Sequence, residues 1–159
     1  MLDFEESYNI SRGRFASSVE ALNQAQLNFK LHDDALTIGQ MAIHVAGVEV
    51  WFTAQCLGKE LDEFEAKVAR CATEGSVNDL PFPYPDAEIT PELVLQALVM
   101  GEKAARELFA AEASIRDVQL TSALGPVITG TGAMARMAFH PGYHHGQAYL
   151  IMGAPGFPK

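Results

Sequence analysis

Five histidines, His32, His44, His140, His144 and His145, are the side chains of this 159-residue sequence best suited to chemistry. His140 and His144 stand four residues apart in the segment HPGYHHGQ. On a helix, positions i and i+4 share a face, so two imidazoles one turn apart can bind one metal ion with little rearrangement. His44 stands in the middle of IGQMAIHVAGVEVWF, with Met41 and Val48 at its i−3 and i+4 positions. It therefore borders an apolar stripe. Two readings of it stay open: a core histidine with both ring nitrogens hydrogen-bonded, or a third ligand facing the pair from another helix. One histidine opposite an i, i+4 pair makes a three-nitrogen set, which suits catalytic zinc and leaves a fourth position for water or substrate. Nickel or iron also accept imidazoles. The expected cofactor is a divalent metal ion, zinc or nickel first, then manganese or iron.

His145 follows His144 by about 100° of helix turn and lies off that face. It reads as a solvent-exposed or helix-end charge, with a substrate-binding cation as the alternative. His32 falls in the polar stretch from Lys30 to Asp34 and reads as exposed. Pro141 and Gly142 interrupt the paired histidines. Pro141 cannot donate to the Met137 carbonyl, and a glycine inside a helix costs about 1 kcal/mol relative to alanine. A kink there either aims His140 at the shared ion or spoils the pairing.

No general base stands out. Glu49 lies about 140° around the helix from His44, off the histidine face, and reads as a solvated or interhelical carboxylate. Tyr8 reads as core with its hydroxyl at a rim, Tyr143 as an interface residue, and Trp51 as packing around the site. Cys56 sits beside the apolar stripe and Cys71 in a weakly patterned segment; neither carries the charged neighbours of an activated thiol, although Arg70 adjoins Cys71.

The elements that must position these side chains are helical. Phe4, Tyr8, Phe15, Val19 and Leu22 recur at mostly helical spacing, predicting a helix over residues 2–27 with Asp3, Glu5 and Glu6 in its first turn. Ile38, Met41, Val45, Val48 and Phe52 predict a second helix, capped by Thr37 and stopped by Gly58. Leu61, Phe64 and Val68 suggest a short helix ending near Cys71. The following GSVNDLPFPYPDAE carries Pro81, Pro83 and Pro85 and reads as an extended, ordered surface loop. Its Phe82 and Tyr84 either pack down or overhang a pocket. Thr90 as cap and Pro91 at the first helical position open a third long helix, which runs to about Ala111. Residues 114–128 read as a loop or short extended piece, with Leu124 in its apolar pattern and a break at Gly125-Pro126. A last helix runs from Thr129 or Thr131 to Met152, before Gly153 and Pro155. The fold class expected is all-α: a four-helix bundle in one domain, residues 1–159, with a long loop between helices 2 and 3.

Composition narrows the function classes. Hydrophobic residues make up 48% and charged residues 19%, as in an ordinary globular chain. Lys and Arg number 11 against 20 Asp and Glu, a net charge of −9 that disfavours nucleic-acid partners. No apolar run is long enough for a membrane span. The acidic start, MLDFEESYNI, is unlike a signal peptide, and two cysteines are too few for a disulfide scaffold. A cytoplasmic location with reduced thiols is expected.

Taken together, IHVAGVEVWF (His44, Glu49, Trp51) and HPGYHHGQ (His140, His144, His145, Gly146, Gln147) resemble the paired motifs of the DinB-like (YfiT-like) superfamily of four-helix-bundle metalloproteins. The resemblance extends over essentially the whole chain in length, helix order and the long connection before helix three. It implies His44, His140 and His144 as ligands of zinc, nickel or another divalent ion. It implies a small-molecule substrate and a low-molecular-weight thiol, used by a thiol (S-)transferase first or an isomerase. Family bundles often pair through helices, so a homodimer is one open oligomeric state. Metal-dependent hydrolysis is the alternative, since the same ligands would serve a bound hydroxide or a bound thiol. A non-catalytic bundle that binds a small ligand is the third reading. His145 stands where the family often carries arginine, and Pro141 is unusual within the ligand pair.

Overall fold

The computed structural model describes residues 3–122, 125 and 127–159, and long helices account for most of them. Helix α1 spans Phe4–Val19. The Asp3 side chain caps it by accepting from Glu6 N at 3.0 Å. Its inward face carries Tyr8, Arg12, Phe15 and Val19, at spacings of one helical turn. The predicted continuation to Leu27 does not occur. Asn23 and Gln26 form a reciprocal capping box that restarts the chain as a separate turn, α2 (Gln24–Leu27). The predicted start at Leu2 lies outside the described residues.

Helix α3 (Ile38–Leu57) begins at a capping box between Thr37 and Gln40 and ends at Gly58, whose φ of 62° is the left-handed stop. Sixteen of its 20 residues are buried, so it is the central helix, packed on every side rather than along one stripe. Helix α4 (Glu63–Arg70) follows, capped by Asp62. Tyr84 of the proline-rich stretch is buried beneath the Lys67 ammonium, and Phe82 packs against the core, so both aromatics turn inward. A single 3-10 turn, Asp86–Glu88, leads to α5 (Pro91–Ala110), with Thr90 as cap and Pro91 at the first position. One short turn, α6 (Glu112–Ile115), precedes an antiparallel hairpin of β1 (Gln119–Thr121) and β2 (Val127–Thr129). Leu124 and Pro126, part of the pattern read there, lie outside the described residues.

Helix α7 (Gly130–Met152) is capped by Thr129 and continues through Pro141 without interruption. The helical spacing of His140 and His144 is thereby kept. Ser11 Oγ on α1 donates to the Ala138 carbonyl of α7 at 2.6 Å, beside the proline. Packing pairs α3 with α5 and α1 with α7, while α4 and α7 both lie against α3. Gly101 lets α5 approach α3 closely: a Cβ there would fall on the Glu49 carboxylate and on Ala46. Among the described residues no helix is long and apolar enough to cross a membrane.

Candidate metal centre

Helices α3 and α7 bring His44, His140 and His144 together. All three are buried, and one nitrogen from each lies within 4.8 Å of the other two. His44 Nε2 is 3.2 Å from His140 Nε2, and His144 Nε2 is 3.0 Å from the same atom. The rings meet edge to face, with centroids 4.6–5.0 Å apart. Nitrogens bound tetrahedrally to one ion at 2.0–2.1 Å would sit about 3.3 Å apart, close to these spacings.

The outer nitrogens explain which atoms face inward. His44 Nδ1 is 2.8 Å from the Cys71 carbonyl, which can only accept, so Nδ1 carries the proton and Nε2 the lone pair. His144 Nδ1 is 2.8 Å from Gln147 Oε1, and Gln147 Nε2 donates onward to the Tyr143 hydroxyl at 3.1 Å. With the amide oxygen turned toward Nδ1, His144 takes the same tautomer. Two lone pairs therefore converge on His140 Nε2, and one N–H there could fully serve only one of them. A cation satisfies all three nitrogens at once. Hydrogen bonds from the outer nitrogens of metal-bound imidazoles to carbonyls or amides are the usual way such rings are oriented.

Electrostatics agree with the donor set. Burial holds His44, His140 and His144 below the ordinary imidazole range, with the His44 and His144 imidazoles adding to the shift on His140 and the His44 imidazole to that on His144. The Arg136 guanidinium lowers all three further. Neutral imidazoles are the form that binds metal.

Two cavities meet at the cluster. The larger, about 670 Å3, is lined by all three histidines and by polar groups that include His32, Asp34, Ser76 and Gln147. The smaller, about 320 Å3, is mainly apolar, with Trp51, Phe52 and Ile128 in its wall. His44, Val77, Arg136 and Phe139 border both.

The remaining candidates fall elsewhere. His145 is half-buried rather than solvent-exposed and does not join the cluster; His32 is exposed, as expected. Glu49 lies off the histidine face, as its rotation predicts, but it is not solvated. It is buried between helices, accepting at Oε1 from Arg12 Nε at 2.8 Å and from the Tyr8 hydroxyl at 2.9 Å. Burial pushes its carboxyl up, and the Arg12 guanidinium pulls it back down. The Tyr8 hydroxyl is accordingly interior rather than at a rim. Cys56 and Cys71 are free and buried, and burial raises both thiols, Cys71 to about 12. Cys71 serves the site through its carbonyl, not its sulfur. Trp51 stacks on Phe52 at 5.2 Å between ring centroids and walls the smaller cavity. Tyr143 is exposed.

Sequence reasoning passed over two arginines. Arg12 falls within the apolar period of α1, between Tyr8 and Phe15, a position where a charge must find a buried partner. Arg136 precedes His140 by four residues and His144 by eight, so it shares their face. In comparisons with known proteins, no family model matches the chain, and no curated protein or solved structure gives a significant match.

Proposed function

We propose that the chain is a divalent-metal-dependent thiol (S-)transferase of the DinB-like kind, with α1, α3, α5 and α7 as its four-helix bundle. The observation that carries this reading is the convergence of three buried imidazole nitrogens, oriented by the Cys71 carbonyl and Gln147, at the junction of two cavities. His44, His140 and His144 would hold the ion, and three neutral imidazoles suit zinc or nickel. A bound divalent ion supplies Lewis acidity that keeps a thiol ionised at neutral pH. The larger, polar-lined cavity is the side from which a low-molecular-weight thiol has access. Trp51 and Phe52 give the other side a mainly apolar wall. In the transfer, the sulfur lone pair forms the new C–S bond, the leaving group departs with its bonding pair, and the thiol proton passes to solvent.

The test pairs metal content with thiol consumption. Untagged protein supplied with zinc or nickel should hold about one ion by plasma mass spectrometry, and His44→Ala should hold almost none. The loaded protein should accelerate the reaction of cysteine or glutathione with 1-chloro-2,4-dinitrobenzene or its carboxylate analogue 4-chloro-3,5-dinitrobenzoate, releasing chloride, and the variant should not. Loaded protein that hydrolyses esters but transfers no thiol would move the reading to a hydrolase. Unchanged metal content in His44→Ala would remove the three-histidine site altogether.

A further inference from the structure

We infer that the smaller cavity binds a small carboxylate with an apolar body, and that Arg136 is the residue that holds the carboxylate. This deepens the proposed function by naming the class of the electrophile; it rests on that reading only for the carboxylate's role as substrate, not for its binding.

Arg136 is half-buried and borders both cavities. Four of the other five arginines are paired with carboxylates: Arg12 with Glu49, Arg70 with Glu74, Arg106 with Glu102 and Arg116 with Glu112. Arg14 is exposed to water. Arg136 has no such partner among the described residues. Acid is not scarce in a chain of 20 Asp and Glu, and Asp34 even lines the larger cavity without pairing to it. The contact Arg136 does make is with an aromatic ring, its guanidinium carbon lying 5.3 Å from the Phe139 centroid. That stacking steadies a planar fork without occupying its donors.

The surroundings select the ligand. Among the described residues that line the smaller cavity none is acidic, and Arg136 is the one Lys or Arg. Val48, Trp51, Phe52 and Ile128 supply the apolar surface. Its volume of about 320 Å3 lies at the small end of ligand sites. A neutral apolar ligand would leave a partly desolvated guanidinium unpaired, which is costly. A carboxylate meets the fork with two parallel hydrogen bonds. A phosphate dianion would bring two charges to one cation in an otherwise apolar recess. The balance favours a monoanionic carboxylate on an aryl or alkenyl frame, placed beside His44, which also lines this cavity.

Trp51 is the chain's single tryptophan and stands in the wall, so binding there has its own optical signal. Metal-loaded protein is titrated with phenylacetate and, as the neutral isostere, phenylacetamide. Phenylacetate should change Trp51 fluorescence saturably and bind at least about tenfold tighter than the amide. Arg136→Met should abolish that preference with metal content unchanged, and Arg136→Lys should keep part of it. Metal-free wild type should still prefer the acid. Equal affinity for the two probes, no saturable binding of either, or full phenylacetate affinity in Arg136→Met would each overturn the inference. So would a preference for the acid that vanishes when a chelator removes the metal, because the ion rather than Arg136 would then hold the carboxylate. Acid-selective binding without thiol transfer would sink the transferase reading while leaving this site intact.

Discussion

At the scale of single residues, the buried histidine cluster stores acid sensitivity. Burial lowers His44, His140 and His144 from an ordinary value of 6.5, and His144 is pushed down to about 3. Between those limits the unfolded chain binds more protons than the folded one. Folding stability therefore rises with pH across that window. In the metal-free protein the contribution is fully present above about pH 6.5 and is lost as pH falls toward the folded-state values. The urea midpoint of metal-free wild type should fall between pH 7 and pH 5. In His144→Gln the fall should be shallower, because one of the three proton sinks is gone. Superimposable pH profiles for the two proteins would show that His144 is not held neutral by the fold. The residue scale is also where the sequence was most legible. An i, i+4 pair and a mid-helix histidine on an apolar border are local patterns, and both survive folding. Gln147 was within reach as well, three residues past His144 on the same helix. The Cys71 carbonyl was not, since it arrives from the chain just beyond α4 and no spacing announces it.

At the scale of elements, helices were legible wherever an apolar period met a cap. Thr37 and Gly58 bound α3, and Thr90 with Pro91 opens α5, as the sequence implies. The end of α1 is masked in the apolar period: Asn23 and Gln26 have capping-box spacing, but Leu22 and Leu27 continue the period across it. What no local pattern announces is how the helices are pinned to one another. Arg12 of α1 donates to Glu49 of α3 and, through Nη2 at 2.7 Å, to the Leu98 carbonyl of α5. Three helices thus share one buried ion pair, and Gly101 is the gap that admits the carboxylate. Removing one partner of such a pair costs about 3–5 kcal/mol because the other charge stays buried. Glu49→Gln should show a loss of that order in urea unfolding, while its zinc content matches wild type because Glu49 is turned away from the histidines. A loss below about 1 kcal/mol would mean that the pair positions nothing the apolar contacts do not already fix.

At the scale of the whole molecule, the site is a joint between two packed units. His44 belongs to α3, which packs on α5, and the His140–His144 pair belongs to α7, which packs on α1. The chain between them could not be read for register, because facing positions on separate helices depend on every intervening turn and loop. Their meeting at 3.0–3.2 Å is a property of the folded whole. An ion bound there would tie the α7–α1 and α3–α5 pairs together, and it would bind the native state alone. Free metal at a thousand times its dissociation constant should then stabilise the protein by about 4 kcal/mol. In a domain of this size each kcal/mol is worth about 2–4 °C, so the melting temperature should rise by on the order of 10 °C. The rise should grow with the logarithm of free metal and vanish in His140→Ala, whose two remaining imidazoles lie on different helices. A shift that persists in His140→Ala would place the ion elsewhere. A wild-type protein that binds one equivalent with no thermal shift would mean that unfolded chain holds the metal as well as the fold does. The joint would then be a crossing point of helices rather than a clasp.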